Sequence, residues 1–484
     1  MRMVPSATPR RRGAGRVSGR ARLGVLAGVA FGLLAAGLAS GPGAGFAAEP
    51  GKESSAAGEE GERAPTAAEL GAKLKAAAAS GDAAAAAAAL EGLAGLGTSE
   101  AALAISRNAF RGSNYAVERA AGAALARLKD PAARAKVYEE AKANPDYRAR
   151  IVLLAVAARL AREDPRALAA VHAALKDPSK PVVLTALYWV RQLRRNESVE
   201  PLIGLLEARE RKAADRPYFD ALRALEELTG FQIGSAGEWR SFWEAQKKGL
   251  SAPKISRDSK TGLARKSRFF TVNLDSDRVL FVIDTSWSMT KRDPYAEPQP
   301  EEKQVGSRGK TVVAKPRRET GPPKAEELPL SRERLYRVKE ELMRSIRELP
   351  PHVHFGVLSF NHELAYLWSS RTLQPAAPAA KAQAVEWVKA LQANGATRTD
   401  LALAEALSIP EVDTIVLLTD GAPQDEKNQR LDIDAILRDV KERNRFVRAR
   451  IETVSFLQIR DARMRRFVRD LALGNDGGEP HLLP

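Results

Sequence analysis

RVLFVIDTSWSM, residues 278–289, sets an apolar run from Val279 to Ile283 directly before Asp284-Thr-Ser286-Trp-Ser288. A short unbroken apolar run closed by polar residues fits a strand buried on both faces, and such strands belong to parallel sheets covered by helices. Three more runs have the same character: HVHFGVLSF (352–360), DTIVLLTD (413–420) and ARIETVSF (449–456). Amphipathic helical stretches alternate with them at 331–349, 379–392, 431–444 and 461–473. The alternation predicts an α/β domain with a mainly parallel sheet, whose ligands sit at the carboxyl ends of the strands.

Oxygen donors collect at those ends. Asp284, Ser286 and Ser288 close the first strand in a D-x-S-x-S spacing, and Thr419-Asp420-Gly421 closes the central one. Between them, Asn394-Gly-Ala-Thr397 forms a small-residue loop leading into a helix at Leu401–Leu407. The chain has no cysteine, so a metal must be held by oxygen or by the five histidines, and the two carboxylates and three hydroxyls at this edge are hard oxygen donors suited to Mg2+ or Mn2+.

This order of motifs resembles the von Willebrand factor type A domain and its metal-ion-dependent adhesion site, over roughly Asp277 to Gly478. The resemblance implies a Rossmann-like α/β fold with Asp284, Ser286, Ser288, Thr397 and Asp420 as ligands of Mg2+ or Mn2+. It also implies an open coordination position, completed by an acidic side chain of a protein partner, so that the site binds and does not catalyse. Three departures stand out. Trp287 occupies a position that is commonly glycine; Ala396 replaces a second glycine, which leaves Thr399 as a rival to Thr397; and about forty residues are inserted between Met289 and Ser331. The insertion, 291–330, is rich in proline and in charge of both signs, which predicts a disordered loop beside the metal edge.

Upstream the pattern is helical. NYAVERAAGAALARL (114–128), DYRARIVLLAVAARL (146–160), KPVVLTALYWVRQL (180–193) and PYFDALRALEEL (217–228) superpose, with 32, 33 and 35 residues between their final leucines. Apolar positions within them follow helical spacing, as in Val117, Ala121, Ala124, Leu128 and in Ala149, Leu153, Val156, Leu160. Shorter helices are expected between them, started by Asp130-Pro131, Asp164-Pro165 and Asp177-Pro178. Helix pairs at this period resemble HEAT-type repeats and predict an α-solenoid at 66–248, a binding scaffold or spacer, with Trp239 and Trp243 closing its end.

The formal charge of +16 is unevenly placed. Residues 1–48 hold seven arginines and no acid, and Leu23 to Ala48 carry no charge at all. A basic head, an apolar centre and a small-residue exit read as a signal peptide or an uncleaved membrane anchor, and hence as an exported protein of the periplasm or cell envelope. Residues 49–65 read as a flexible spacer, 249–268 as a linker and 269–484 as the α/β domain. Each remaining half is only mildly basic, which leaves no reason to invoke nucleic acid.

Other motifs do not cohere. Gly306-Ser-Arg-Gly309-Lys310-Thr311 lacks the first glycine of a phosphate loop, since Gln304 stands at its place, and it follows no strand. His352 and His354 have no third ligand near them in sequence, and no G-x-S-x-G elbow exists. The expectation is a non-enzymatic, bacterial, envelope-located protein that binds a protein partner through a divalent cation. Two alternatives are a structural scaffold with a vestigial metal site and an accessory subunit of an ATPase machine.

Overall fold

The structure, a computed structural model, describes residues 63–112, 114–210, 215–249, 268–294, 328–456 and 461–483. The signal or anchor segment at 1–48, nearly all of the spacer and of the linker, and the bulk of the insertion lie outside the described residues. Among the described residues no helix is long and apolar enough to cross a membrane. The fold class is the expected one, a helical array followed by a Rossmann-like α/β domain.

Among the described residues, eleven helices make the array: α1 (Ala67–Ser80), α2 (Ala83–Leu96), α3 (Ser99–Asn108), α4 (Tyr115–Ala126), α5 (Pro131–Ala143), α6 (Tyr147–Leu160), α7 (Pro165–Ala174), α8 (Lys180–Leu193), α9 (Val199–Glu210), α10 (Arg216–Thr229) and α11 (Ala236–Lys247). They stack in two layers. Helices α1, α3, α5 and α7 pack in succession on one side, and α2, α4, α6, α8 and α10 on the other. The four superposable segments of the sequence are thus consecutive rungs of a single layer. Their spaced apolar residues supply the core, with Ala121 and Leu153 fully buried. Asp130 and Asp164 cap α5 and α7 through backbone N–H groups, with proline in the first turn of each helix. Asp177 departs from the expectation. It starts no intervening helix; it precedes α8, accepts from the Ser179 N–H at 2.8 Å and holds Arg150 in two hydrogen bonds of 2.8 Å. At the far end α11 packs on α9, and Trp239 is fully buried beside Phe242.

The second half opens with a small hairpin, β1 (Arg268–Phe269) and β2 (Val272–Asn273), before β3 (Arg278–Asp284). Then follow α12 (Arg334–Glu348), β4 (His354–Phe360), β5 (Leu364–Tyr366), β6 (Gln374–Pro375), α13 (Pro378–Ala390), α14 (Thr399–Ala406), β7 (Thr414–Leu418), α15 (Ile433–Val447), β8 (Arg450–Phe456), α16 (Ala462–Leu473) and β9 (His481–Leu483). The sheet runs β5-β4-β3-β7-β8-β9, with β6 also paired to β4. The inner strands are parallel, while β5 and β6 run antiparallel to β4. Side chains alternate between the two faces. Phe281, Ile283, Phe355, Val357 and Val416 pack under α12 and α13, whereas Leu280, Val282, Leu358, Ile415 and Leu417 pack under α14, α15 and α16. Because β4 follows β3 on one side and β7 joins it on the other, the chain reverses its winding at β3/β7, and a crevice opens at their carboxyl ends.

Ala64 to Pro484 forms one compact unit. The helical array contacts the opposite edge of the sheet, where the strands begin. Lys180 at the start of α8 donates to Asp277 and Asp413, each at 2.9 Å. Arg216 of α10, 1% exposed, donates to the Asp413 carbonyl at 2.6 Å and to the Arg448 carbonyl, and pairs with Asp220 and Asp476. Asp220 also holds Arg450 at the foot of β8, and Glu118 of α4 holds Arg445 of α15 at 2.7 Å. Burial by itself would raise the Asp220 carboxyl, but the Arg450 and Arg216 guanidiniums pull it below its ordinary value. Among the described residues the array thus takes one edge of the sheet and leaves the other clear.

The insertion is ordered at its roots, more so than expected for 291–330. Asp293 N–H donates to the Arg332 carbonyl and Arg334 N–H to the Lys291 carbonyl, both at 3.0 Å, around a 3-10 turn at Leu330–Arg332.

Candidate metal site

Three loops build the clear edge. After β3 the chain passes through Thr285 and Ser286 into a 3-10 turn, Trp287–Thr290. The loop before α14 is sewn to it by Asn394 N–H to the Thr285 carbonyl at 2.8 Å and Trp287 N–H to the Gly395 carbonyl at 3.1 Å. The loop after β7 joins through Gln424 N–H to the Thr397 carbonyl at 2.9 Å. Asn361, just past β4, accepts at its carbonyl from the Arg398 N–H at 2.9 Å and reaches Asn394 with its side chain. Backbone pairing thus fixes the relative height of the three loops.

The five expected residues meet there. Asp284 is fully buried; its Oδ1 accepts from the Ser286 N–H at 2.8 Å and its Oδ2 from the Thr419 hydroxyl at 2.6 Å. The Ser286 and Ser288 hydroxyls lie 3.0 Å apart, and Ser288 donates to Asp420 Oδ1. Thr397 enters beside Gly421: a Cβ placed at Gly421 would stand 3.1 Å from Thr397 Oγ1 and 3.4 Å from Ser288 Oγ. A glycine after Asp420 therefore keeps the hydroxyls free of side-chain bulk. Thr399 instead is fully buried in the first turn of α14, with its hydroxyl lacking a partner among the described residues. Trp287 stands 65% exposed between the two serines.

Gly395 holds the loop in a conformation closed to other residues. Its φ is +68°, and a Cβ there would lie 1.9 Å from His362 Nδ1. Gly395→Ala is expected to cost about 1–3 kcal/mol in urea unfolding, through strain at a positive φ, and to move Thr397. An unchanged denaturation midpoint would contradict this reading of the loop.

Electrostatics make the donor set cation-hungry at one point and satisfied at another. Burial, together with the negative charge of Asp420, pushes the Asp284 carboxyl up to about 7. Its two hydrogen-bond donors are neutral, so a carboxylate there carries an uncompensated charge. Asp420 is different. Its Oδ2 accepts from Arg334 at 2.6 Å, and that guanidinium is also gripped by Asp293. Among the described residues no group of three His, Cys, Asp or Glu side chains could hold a metal, because this cluster has two carboxylates and otherwise hydroxyls. Such a set fits Mg2+ or Mn2+, which take oxygen ligands and keep water or an outside ligand in the remaining positions. Sequence reasoning missed Thr419 as the partner of Asp284, Asn361 as a tie between loops, and Arg334 with Asp293 altogether.

No family model matches the chain. Among solved structures it is similar to a von Willebrand factor type A protein from Catenulispora acidiphila, at 19% identity over 43% of this chain and 39% of that one, with a TM-score of 0.31. It is also similar to a point mutant of the PilB minor pilin from Streptococcus sanguinis, at 14% identity over 42% of this chain and 55% of that one, with a TM-score of 0.25. The chain spans less than two thirds of either protein. The fold of the second half rests on its own sheet order and helix layers, a mainly parallel sheet with a core of helices on each face.

Proposed function

We propose that this chain is a non-enzymatic protein of the bacterial cell envelope that binds a protein partner through a divalent cation held by Asp284, Ser286, Ser288, Thr397 and Asp420. The observation that carries the reading is the convergence of these oxygens on the sheet edge that the helical array leaves clear. Bound there, Mg2+ or Mn2+ would supply a Lewis-acidic position for a carboxylate of the partner. The chain's own groups do the rest: Thr419 and the Ser286 N–H orient Asp284, Ser288 bridges to Asp420, and Gly421 keeps the approach open. The helix pairs at 66–248 act as HEAT-like repeats that present this edge, and the N-terminal segment exports or anchors the chain. The pairing of Asp420 with Arg334 favours one second reading, a scaffold whose metal site is vestigial.

Fractionating cells and crosslinking the protein with and without EDTA tests the proposal. Envelope-fraction adducts that disappear with EDTA and in Asp284→Ala are expected; adducts indifferent to both would refute it. Trp287→Ala is expected to leave Mn2+ affinity within about twofold and to cut adduct yield by about fivefold or more, because an exposed aromatic at the rim contributes contact area to a partner and nothing to the ion. Equal loss of ion and partner would assign Trp287 to the fold of the loop instead.

A further inference from the structure

Arg334 is placed where it decides how the site balances charge. Its Nη1 donates to Asp420 Oδ2 at 2.6 Å, its Nε to both carboxylate oxygens of Asp293 at 3.0 Å, and its Nη2 to Asp293 Oδ1 at 2.6 Å. The guanidinium stacks 5.0 Å from the centre of the Phe456 ring, with Arg337 on the same ring at 5.5 Å. All three partners are buried, with side-chain exposures of 7% for Arg334, 3% for Asp293 and 0% for Asp420. Arg334 and Arg337 thus face Asp293 and Asp420, with Arg337 3.6 Å from Asp293, and Arg332 adds a further guanidinium beside them through the Asp293 carbonyl at 2.8 Å. Asp284 is left as the carboxylate of the cluster whose hydrogen-bond donors are both neutral.

We propose that Arg334 is a built-in competitor of the metal, a tethered cation that neutralises Asp420 so that an incoming divalent ion meets one uncompensated carboxylate in place of two. This rests on the metal-binding reading above and adds to it a residue that sets affinity and specificity. An ion that gains one negative charge from the protein stays net positive and favours an acidic ligand from outside. An ion between two free carboxylates would bind more tightly and need that ligand less. The guanidinium cannot lose its proton at accessible pH, so the competition is permanent. Anchoring by Asp293 and the aromatic stack keeps it from swinging out to solvent.

The test is a titration of the purified full-length chain with Mn2+, with free ion followed by electron paramagnetic resonance. It compares wild type, Arg334→Gln and the charge-neutral pair Arg334→Met with Asp293→Asn, each with and without Asp284→Asn. Arg334→Gln keeps hydrogen-bonding capacity near Asp420 and leaves Asp293 beside Arg337; the pair removes two buried charges together. Circular dichroism confirms which of the two is folded. Either folded variant is expected to bind Mn2+ at least tenfold more tightly than wild type, about 1.4 kcal/mol. Wild type without measurable binding beside a variant that binds in an Asp284-dependent way would support the proposal in its strongest form. Asp284-dependent binding by wild type with equal or weaker binding by the folded variants overturns the role of Arg334 and leaves the metal reading standing. No binding by any of these proteins overturns both.

Discussion

Asp220→Ala is expected to destabilise the chain by about 3–5 kcal/mol, the cost of stripping one partner from a buried ion network. Asp220 is 6% exposed and lies between Arg216, which is 1% exposed, and Arg450, which is 2% exposed. Removing its carboxylate leaves two guanidiniums in a protein interior, with Asp476 at 3.4 Å from Arg216 as a weaker substitute. These groups join α10 to the foot of β8, so the variant is expected to separate the melting of the helical array from that of the sheet. Urea unfolding of wild type and variant, followed by tryptophan fluorescence and by far-UV circular dichroism, checks this, with two transitions expected in the variant. A single transition displaced by under about 1 kcal/mol would show that the network is dispensable.

Asp284→Asn is expected to lower Mg2+ affinity by more than about 100-fold, since removing a group that merely orients a metal ligand already costs about 10–100-fold. The same substitution has an opposite effect on the metal-free protein. The ordinary value of this carboxyl is 3.8 and the folded protein raises it to about 7, through burial first and the Asp420 charge second. Between those two pH values the folded state holds a proton that the unfolded state has released. Stability in EDTA therefore falls as pH rises from about 4 to about 7, by an amount on the order of a few kcal/mol, and levels off above. A bound divalent cation reverses the loss, so the Mg2+-induced rise in melting temperature grows over the same interval. Asp284→Asn carries no ionisable group at this position. In EDTA it is expected to melt above wild type at about pH 8 and close to it at about pH 5, with a flattened response to Mg2+. A melting temperature for wild type in EDTA that climbs steadily across that range would contradict the assignment of Asp284 as an unpaired buried carboxylate.

The parts of this molecule that a linear reading captures are those whose signal is local. The rungs at Tyr115–Ala126, Tyr147–Leu160, Lys180–Leu193 and Arg216–Thr229 fall within a residue or two of the superposed segments, because period and apolar spacing are written within each helix. The strand Arg278–Asp284 is visible for the same reason, and Ser286 and Ser288 follow from it because the spacing that carries them is contiguous. Thr397 and Asp420 stand more than a hundred residues beyond that strand, and only the family resemblance ties them to it in the sequence; the topology then places them on the same edge. Short edge elements left no trace. Leu364–Tyr366, Gln374–Pro375 and His481–Leu483 have two or three residues each, too few to show alternation, and their strand state is set by the neighbour they pair with. The docking of the array was also invisible, since Lys180, Arg216 and Asp220 look like an ordinary charged helix surface until the sheet edge covers them. Arg334 illustrates the limit best. It sits on a strongly amphipathic helix among other arginines, and only the fold brings it to Asp420, 86 residues further along the chain.

The most direct measurement is a crystal of the full-length chain grown with Mn2+ and examined by anomalous scattering. The expected result is an anomalous peak enclosed by the oxygens of Asp284, Ser286, Ser288, Thr397 and Asp420, missing from crystals of Asp284→Asn grown in the same way. Well-ordered side chains at that sheet edge with no peak among them, or a peak of undiminished height in Asp284→Asn, would contradict the assignment of a divalent-cation site to this protein.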